Sequence, residues 1–246
     1  MIPILFSIGD LDFHTHGVFA VLGISLGTAA TYYLARPKLS CTYLADNMIY
    51  ALLIGIAGAR LTYFLLYSDQ FSSWKQLFYL WEGGLVSYGG FAAGGVAFFL
   101  LNRFLRQPAL AWLDVLAVGW PLGLAIGRFG EFLAGENLGV VSAGPLAIAN
   151  RVPIHLFEAV WCGTIFLLLW FAYRQPGRHR QQGVISAASI ALYASGRFII
   201  DFWREDSNIV FNLSLGQVTS LTLLVFALGC LLFLARRKPE GKYVCN

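Results

Sequence analysis

Three arginines, Arg60, Arg128 and Arg197, stand inside otherwise apolar stretches of this chain. An ionised side chain in hydrocarbon costs roughly 3 kcal/mol or more on insertion scales, so such residues are either paired or used. Acids accompany them, Glu131, Glu136, Glu158 and Asp201, as do rings able to hold or pass a proton, His14, His16, His155 and Tyr88. A guanidinium is a planar fork of donors that fits a carboxylate or a phosphate. The plain reading is mutual neutralisation. Arg197 and Asp201 are four apart, Arg128 and Glu131 three apart, and such pairs form on one helix face without any ligand. An arginine near a span end can also reach back to the headgroups. Several arginines at one depth, flanked by carboxylates and histidines, point further, to an anionic phospholipid bound as substrate.

That reading depends on the elements that carry the arginines. The apolar segments read as seven helical spans, at about 17–35, 47–67, 84–102, 112–130, 155–173, 183–203 and 216–235. Each is near the about 20 residues that a hydrocarbon core requires. Barrel strands would alternate apolar and polar residues instead. The first span has no basic segment before it and no clear cleavage site after it, so it reads as a retained span. Basic residues cluster at every second connection: Arg36/Lys38, Arg103/Arg106, Arg174/Arg178/Arg180, and the tail with Arg236, Arg237, Lys238 and Lys242. The other connections are acidic or mixed, with Asp10/Asp12, Asp69/Lys75/Glu82, Glu131/Glu136/Arg151 and Arg204/Glu205/Asp206. This predicts an all-α polytopic membrane protein with its N-terminus outside and its C-terminus cytoplasmic. Arg60, Arg128 and Arg197 then fall near the outer ends of three spans. The whole chain, 1–246, reads as one integral membrane domain, with a small external cap at about 131–154.

Composition agrees. Of 246 residues 58% are apolar and 12% charged, with a mean hydropathy of +0.66. These values exclude a disordered chain, a nucleic-acid binder and an ordinary soluble globule. Four cysteines without CxxC spacing or a paired histidine predict no metal site. Gly119, Gly123 and Gly127 recur every fourth residue in the fourth span, as do Gly23 and Gly27 in the first. Small residues at this spacing let helices approach closely in lipid. Pro121 interrupts the fourth span and predicts a kink.

Six short segments, in order, carry a resemblance. Gly58-Ala-Arg60-Leu-Thr-Tyr63 resembles G-G-R-x-x-Y, and Trp81-Glu-Gly-Gly84 with Ser87-Tyr-Gly-Gly90 resembles W-x-G-G-x-x-x-H-G-G. The run from Gly127 to Glu136 resembles G-R-x-G-N-F-x-N-x-E, and Pro153 to Glu158 resembles H-P-x-Q-x-Y-E. Tyr193, Arg197 and Asp201 resemble Y-x-x-x-R-x-x-x-E, and Ser214 to Gln217 matches S-x-G-Q. Together they are similar to the bacterial prolipoprotein diacylglyceryl transferase family. The resemblance implies transfer of the diacylglyceryl group of phosphatidylglycerol to the lipobox cysteine of a prolipoprotein signal peptide, with release of glycerol phosphate. It implies an inner (cytoplasmic) membrane enzyme with its active site towards the outer leaflet, and no metal or soluble cofactor. It implies Arg128 and Arg197 as a phosphate clamp, Glu136 and Glu158 as orienting groups, and Arg60 in support. His16 and Tyr88 join Arg128, Arg197 and Glu136 as catalytic candidates. His14, Arg60, Glu131, Glu158 and Asp201 are the substrate-binding candidates.

The departures cluster on the acceptor side. The family's H-G-G histidine is Tyr88 here, and the tyrosine of its H-x-Y-G is His16. If the two sites face one another, the exchange preserves the pair. Two signature asparagines read Glu131 and Ala134, and the histidine and glutamine before Glu158 read Val152 and His155. These changes leave open a paralogous enzyme with the same lipid donor and another acceptor, and a lipid-binding protein without chemistry. A seven-span transporter is the contrasting class, but transporters place their binding groups near the midplane, among internal repeats.

Overall fold

The computed structural model describes every residue except 1, 10, 37–38, 40, 72, 80–83, 85, 137, 146, 176–180, 206–207, 211–212 and 237–246. The fold is mostly helical. In chain order the elements are β1 (Ile4–Ile8), β2 (Leu11–His14), α1 (Thr15–Ala35), α2 (Cys41–Leu66), α3 (Ser87–Phe104), α4 (Ala109–Ala134), α5 (Ile154–Arg174), α6 (Val184–Ile200), β3 (Asn208–Val210), β4 (Leu213–Ser214) and α7 (Leu215–Arg236). Two short antiparallel hairpins, β1–β2 and β3–β4, accompany the expected helices. They are too short for a periodic signal in the sequence.

Among the described residues, six helices are long and apolar enough to cross a membrane: Thr15–Ala35, Ala45–Leu66, Ala109–Ala134, Ile154–Arg174, Val184–Trp203 and Leu215–Arg236. The remaining expected span is α3, whose four glycines, Asn102 and Arg103 lower its hydropathy. Of the charges used to orient the chain, Asp10, Lys38, Glu82, Arg178, Arg180, Asp206, Arg237, Lys238 and Lys242 lie outside the described residues.

The backbone groups into two compact units, Lys38–Trp112 and the remainder, Met1–Pro37 with Leu113–Asn246. In the first, α2 and α3 form a hairpin sealed by small residues. A Cβ placed on Gly55 would stand 3.2 Å from the carbonyl oxygen of Gly90, and one on Gly58 2.9 Å from that of Gly89. The connection between them is organised by Arg60, which is buried. Its guanidinium donates to the carbonyls of Gln76 (2.6 Å), Tyr79 (3.0 Å), Leu77 (3.2 Å) and Gly84 (3.2 Å). It also lies over the rings of Tyr63 and Phe71.

In the second unit, glycines set the register of α1 against α4. A Cβ on Gly27 would stand 2.9 Å from the oxygen of Gly119, and one on Gly123 3.0 Å from that of Gly23. Rising numbers in one helix meet falling numbers in the other, so the pair is antiparallel. The start of α1 therefore comes to the end of α4, where Phe19 packs on Gly130. The N-terminal hairpin reinforces this junction. Ile2 N–H donates to Leu133 O (2.8 Å), Thr15 N–H to Pro3 O (2.9 Å), and the Thr15 hydroxyl to Ile2 O.

Helix α4 continues through Pro121. Proline has no N–H for the carbonyl four residues back, that of Ala117. Ser189 of α6 supplies the missing donor, its hydroxyl reaching Ala117 O at 3.0 Å, while Trp120 Nε1 donates to the same hydroxyl at 3.0 Å. Ser189 is fully buried. Ser189→Ala removes the donor to the buried Ala117 carbonyl and the acceptor for the Trp120 indole N–H. The expected loss is about 1–3 kcal/mol, read as a lower Tm in detergent. An unchanged Tm would show that both groups find other partners.

Candidate active site

The second unit joins Arg128, Glu131, Glu158, Arg197, Asp201 and Arg204 at the end where α5 and α7 begin and α4 and α6 finish. Its centre is Glu158, in the second turn of α5, with a side chain only 6% exposed. One carboxylate oxygen lies 3.0 Å from Arg128 Nε. The other is paired with Arg197 Nη1 and lies 3.7 Å from Arg204 Nη1. Three guanidinium groups from three segments thus share one buried acid. Arg128 is held on a second side by Glu131, at 2.6 Å, and Arg197 by Asp201, at 3.3 Å. Asp201 also stands 3.5 Å from Arg204. Three arginines face three carboxylates, so each guanidinium has an acid beside it without a ligand. The helix-face pairs expected from spacing are present, but both are joined through Glu158 into one network.

His155, one turn before Glu158, is buried. Its Nδ1 lies 3.2 Å from both Glu131 and Glu158, and its Nε2 has no hydrogen-bond partner among the described residues. His155 stood in the sequence's polar constellation without an assigned role, and Arg204 stood outside that constellation. Arg204 reads in sequence as one charge of a mixed connection, although its three-residue spacing from Asp201 was available as a signal. His155 carries the matching signal towards Glu158.

The end of α4 places Glu136. Gly135, at φ +80°, closes the helix in the left-handed conformation that glycine adopts without steric cost. The amides of Gly135 and Glu136 both return to Glu131 O, at 3.0 and 3.1 Å. Glu136 is thereby fixed just beyond the helix, and its Oε1 lies 2.9 Å from Nδ1 of His16 in the first turn of α1. His14 caps the same turn through its backbone, and its ring is 6.1 Å from that of His16.

The Ser214–Gln217 segment is a capping box at the start of α7. The Ser214 hydroxyl accepts from Gln217 N–H (3.1 Å), and the Gln217 side chain accepts from Ser214 N–H (3.0 Å). A Cβ on Gly216 would collide with Oδ2 of Asp201. The positive end of the α7 dipole therefore meets the Asp201 carboxylate, the favourable sense.

Arg60 belongs to the other compact unit, where backbone carbonyls hold its guanidinium. Within that unit it secures the connection between α2 and α3. Tyr88 is in the first turn of α3, and its side chain lies outside the described residues. Glu131, Glu158, Asp201, Arg128 and Arg197 are brought together, and His16 joins Glu136.

Among the described residues no group of three or more His, Cys, Asp or Glu side chains has the arrangement of a metal site. The cluster can hold a phosphate between preset guanidinium groups and stabilise charge that develops on it.

The sequence model of prolipoprotein diacylglyceryl transferase matches residues 3–233. Three curated relatives bear the name phosphatidylglycerol–prolipoprotein diacylglyceryl transferase. The protein of Streptococcus uberis is 30% identical over 253 residues, covering 97% of this chain and 96% of its own. That of Bordetella parapertussis is 31% identical over 257 residues, covering 95% of each. That of Geobacter sulfurreducens is 31% identical over 258 residues, covering 96% of each.

Proposed function

The chain belongs to the prolipoprotein diacylglyceryl transferase family, and from that premise we propose how its residues carry the reaction. It is a transferase that moves the diacylglyceryl group of phosphatidylglycerol to the lipobox cysteine of prolipoproteins. The glyceryl C–O bond to phosphate breaks, a thioether C–S bond forms, and glycerol phosphate leaves.

The observation that carries the assignment of roles is the convergence of Arg128, Arg197 and Arg204 on Glu158. In this reading Arg128 and Arg197 clamp the phosphate, and Arg204 adds a third positive charge. Glu158, Glu131 and Asp201 hold the clamp open in the absence of lipid. As negative charge gathers on the leaving phosphate oxygen, donors already in place stabilise it without reorganisation. Arg60 acts indirectly, by ordering the connection before α3. Tyr88 takes the position of the family's histidine and His14 lines the entry for the acceptor.

The chain crosses the cytoplasmic membrane seven times, with α3 as the seventh span, as one membrane domain capped outside at about 131–154. Its N-terminus is outside and its C-terminus inside, consistent with Arg36, Arg103 and Arg106 on cytoplasmic connections. The charged cluster then meets the outer leaflet. A membrane location is supported by the six apolar helices.

The test combines purified protein, phosphatidylglycerol and a lipobox peptide, with mass spectrometry for the peptide and a separate readout of glycerol phosphate. A diacylglyceryl mass on the cysteine is expected. Glycerol phosphate released without modified peptide would mean another acceptor. Neither product, with lipid still bound, would leave only a lipid-binding protein.

A further inference from the structure

A thiol must lose its proton to attack carbon, and the charge cluster does not supply an obvious acceptor. Glu131, Glu158 and Asp201 are each engaged by an arginine. His155 is buried, with Nδ1 against two carboxylates. His14 has no carboxylate beside it among the described residues. His16 differs from all of these. Its side chain is about half exposed, at 47%, its Nδ1 lies 2.9 Å from Glu136, and Nε2 has no partner among the described residues.

The backbone builds this pair from both sides. The glycine register of α1 on α4 and the bond from Ile2 N–H to Leu133 O bring the start of α1 to the end of α4. The glycine-closed end of α4 then fixes Glu136 through Glu131 O, and the Glu131 side chain is itself bonded to Arg128. The pair therefore stands one short turn beyond Glu131, with both side chains about half exposed. A carboxylate against one imidazole nitrogen orients the ring, sets its tautomer and balances the charge when the other nitrogen takes a proton.

We propose that His16, positioned by Glu136, is the base that accepts the acceptor thiol's proton at Nε2. This rests on the functional reading above. The sulfur electron pair forms the C–S bond, the glyceryl C–O bond breaks towards phosphate, and the proton passes from His16 to water or to the departing glycerol phosphate. Electrons and atoms balance without a co-reactant.

The test measures initial rates of peptide lipidation by wild type and His16→Gln at pH 7 and pH 9. A free thiol titrates near pH 8.5, so about 3% is thiolate at pH 7 and most is ionised at pH 9. The loss expected in His16→Gln is about a hundredfold at pH 7. At pH 9 it should shrink to about tenfold or less, because the thiol ionises without help. Added imidazole should restore part of the pH 7 rate in His16→Ala. Wild-type rates in His16→Gln, or an equal deficit at both pH values with no imidazole rescue, overturn the proposal alone. A wild-type protein that transfers nothing overturns the functional reading, and this proposal with it.

Discussion

Arg128→Ala is expected to lower diacylglyceryl transfer by about a thousandfold or more. Removing one preset donor from a site of developing negative charge typically costs about 10²–10³ in turnover. Arg128 does more than donate. Its Nη1 and Nε are fixed by Glu131 at 2.6 Å and Glu158 at 3.0 Å, while Nη2 has no ion pair among the described residues. Alanine therefore removes a donor and also leaves two carboxylates beside the place where a phosphate must sit. Their repulsion adds to the lost attraction, which puts the effect at the upper end of the range. Arg128→Lys is expected to keep about 1% or less, because a point charge cannot bridge two acids and a phosphate as a planar fork can. The measurement is the initial rate of peptide lipidation, with phosphatidylglycerol binding followed separately. A rate within tenfold of wild type in Arg128→Ala would remove Arg128 from the clamp.

Much of this site was legible in the sequence because buried charge is rare enough to count. Arg128, Arg197, Glu158 and Asp201 stood out as expensive residues in apolar stretches, and the structure joins them. The glycine spacing foretold close helix packing, and the register of Gly23 on Gly123 and Gly27 on Gly119 turns that packing into a position for His16. What spacing could not reveal is where a side chain ends up when its partner is backbone. Arg60 read as a supporting, substrate-binding residue, and the four carbonyls that hold its guanidinium were not foreseen, because a carbonyl carries no residue identity to read. The same limit hid the role of Ser189, whose partner is the carbonyl left over by Pro121. The Ser214–Gln217 match proved to be local, a helix start whose glycine makes room for Asp201. Glu131 and His155 are departures from the family pattern that meet each other at 3.2 Å. An acid and an imidazole replace an amide pair, so the new negative charge has a partner besides Arg128.

The second large effect is expected at Glu158, and here two consequences oppose one another. Removing this carboxylate frees Arg128, Arg197 and Arg204 from a buried negative charge, which by Coulomb attraction alone favours an incoming phosphate. It also removes the one group that all three share. Breaking a buried pair typically costs about 3–5 kcal/mol, because the remaining charge is left without compensation. For a chain of this size that corresponds to a Tm lower by roughly 6–20 °C. Glu158→Gln preserves the shape and one acceptor oxygen, so the chain is expected to fold with part of that loss. Turnover should nonetheless fall by about a hundredfold or more, since a clamp out of place by a fraction of an ångström no longer meets the transition state. Apparent affinity for phosphatidylglycerol should change by only a few fold, as freed charge and lost geometry offset each other. The separation between the two readouts is the informative quantity. A parallel fall in binding and turnover would make Glu158 part of the lipid contact itself. Wild-type turnover in Glu158→Gln would reduce it to a neutralising charge, since an amide of the same shape would then hold three arginines equally well.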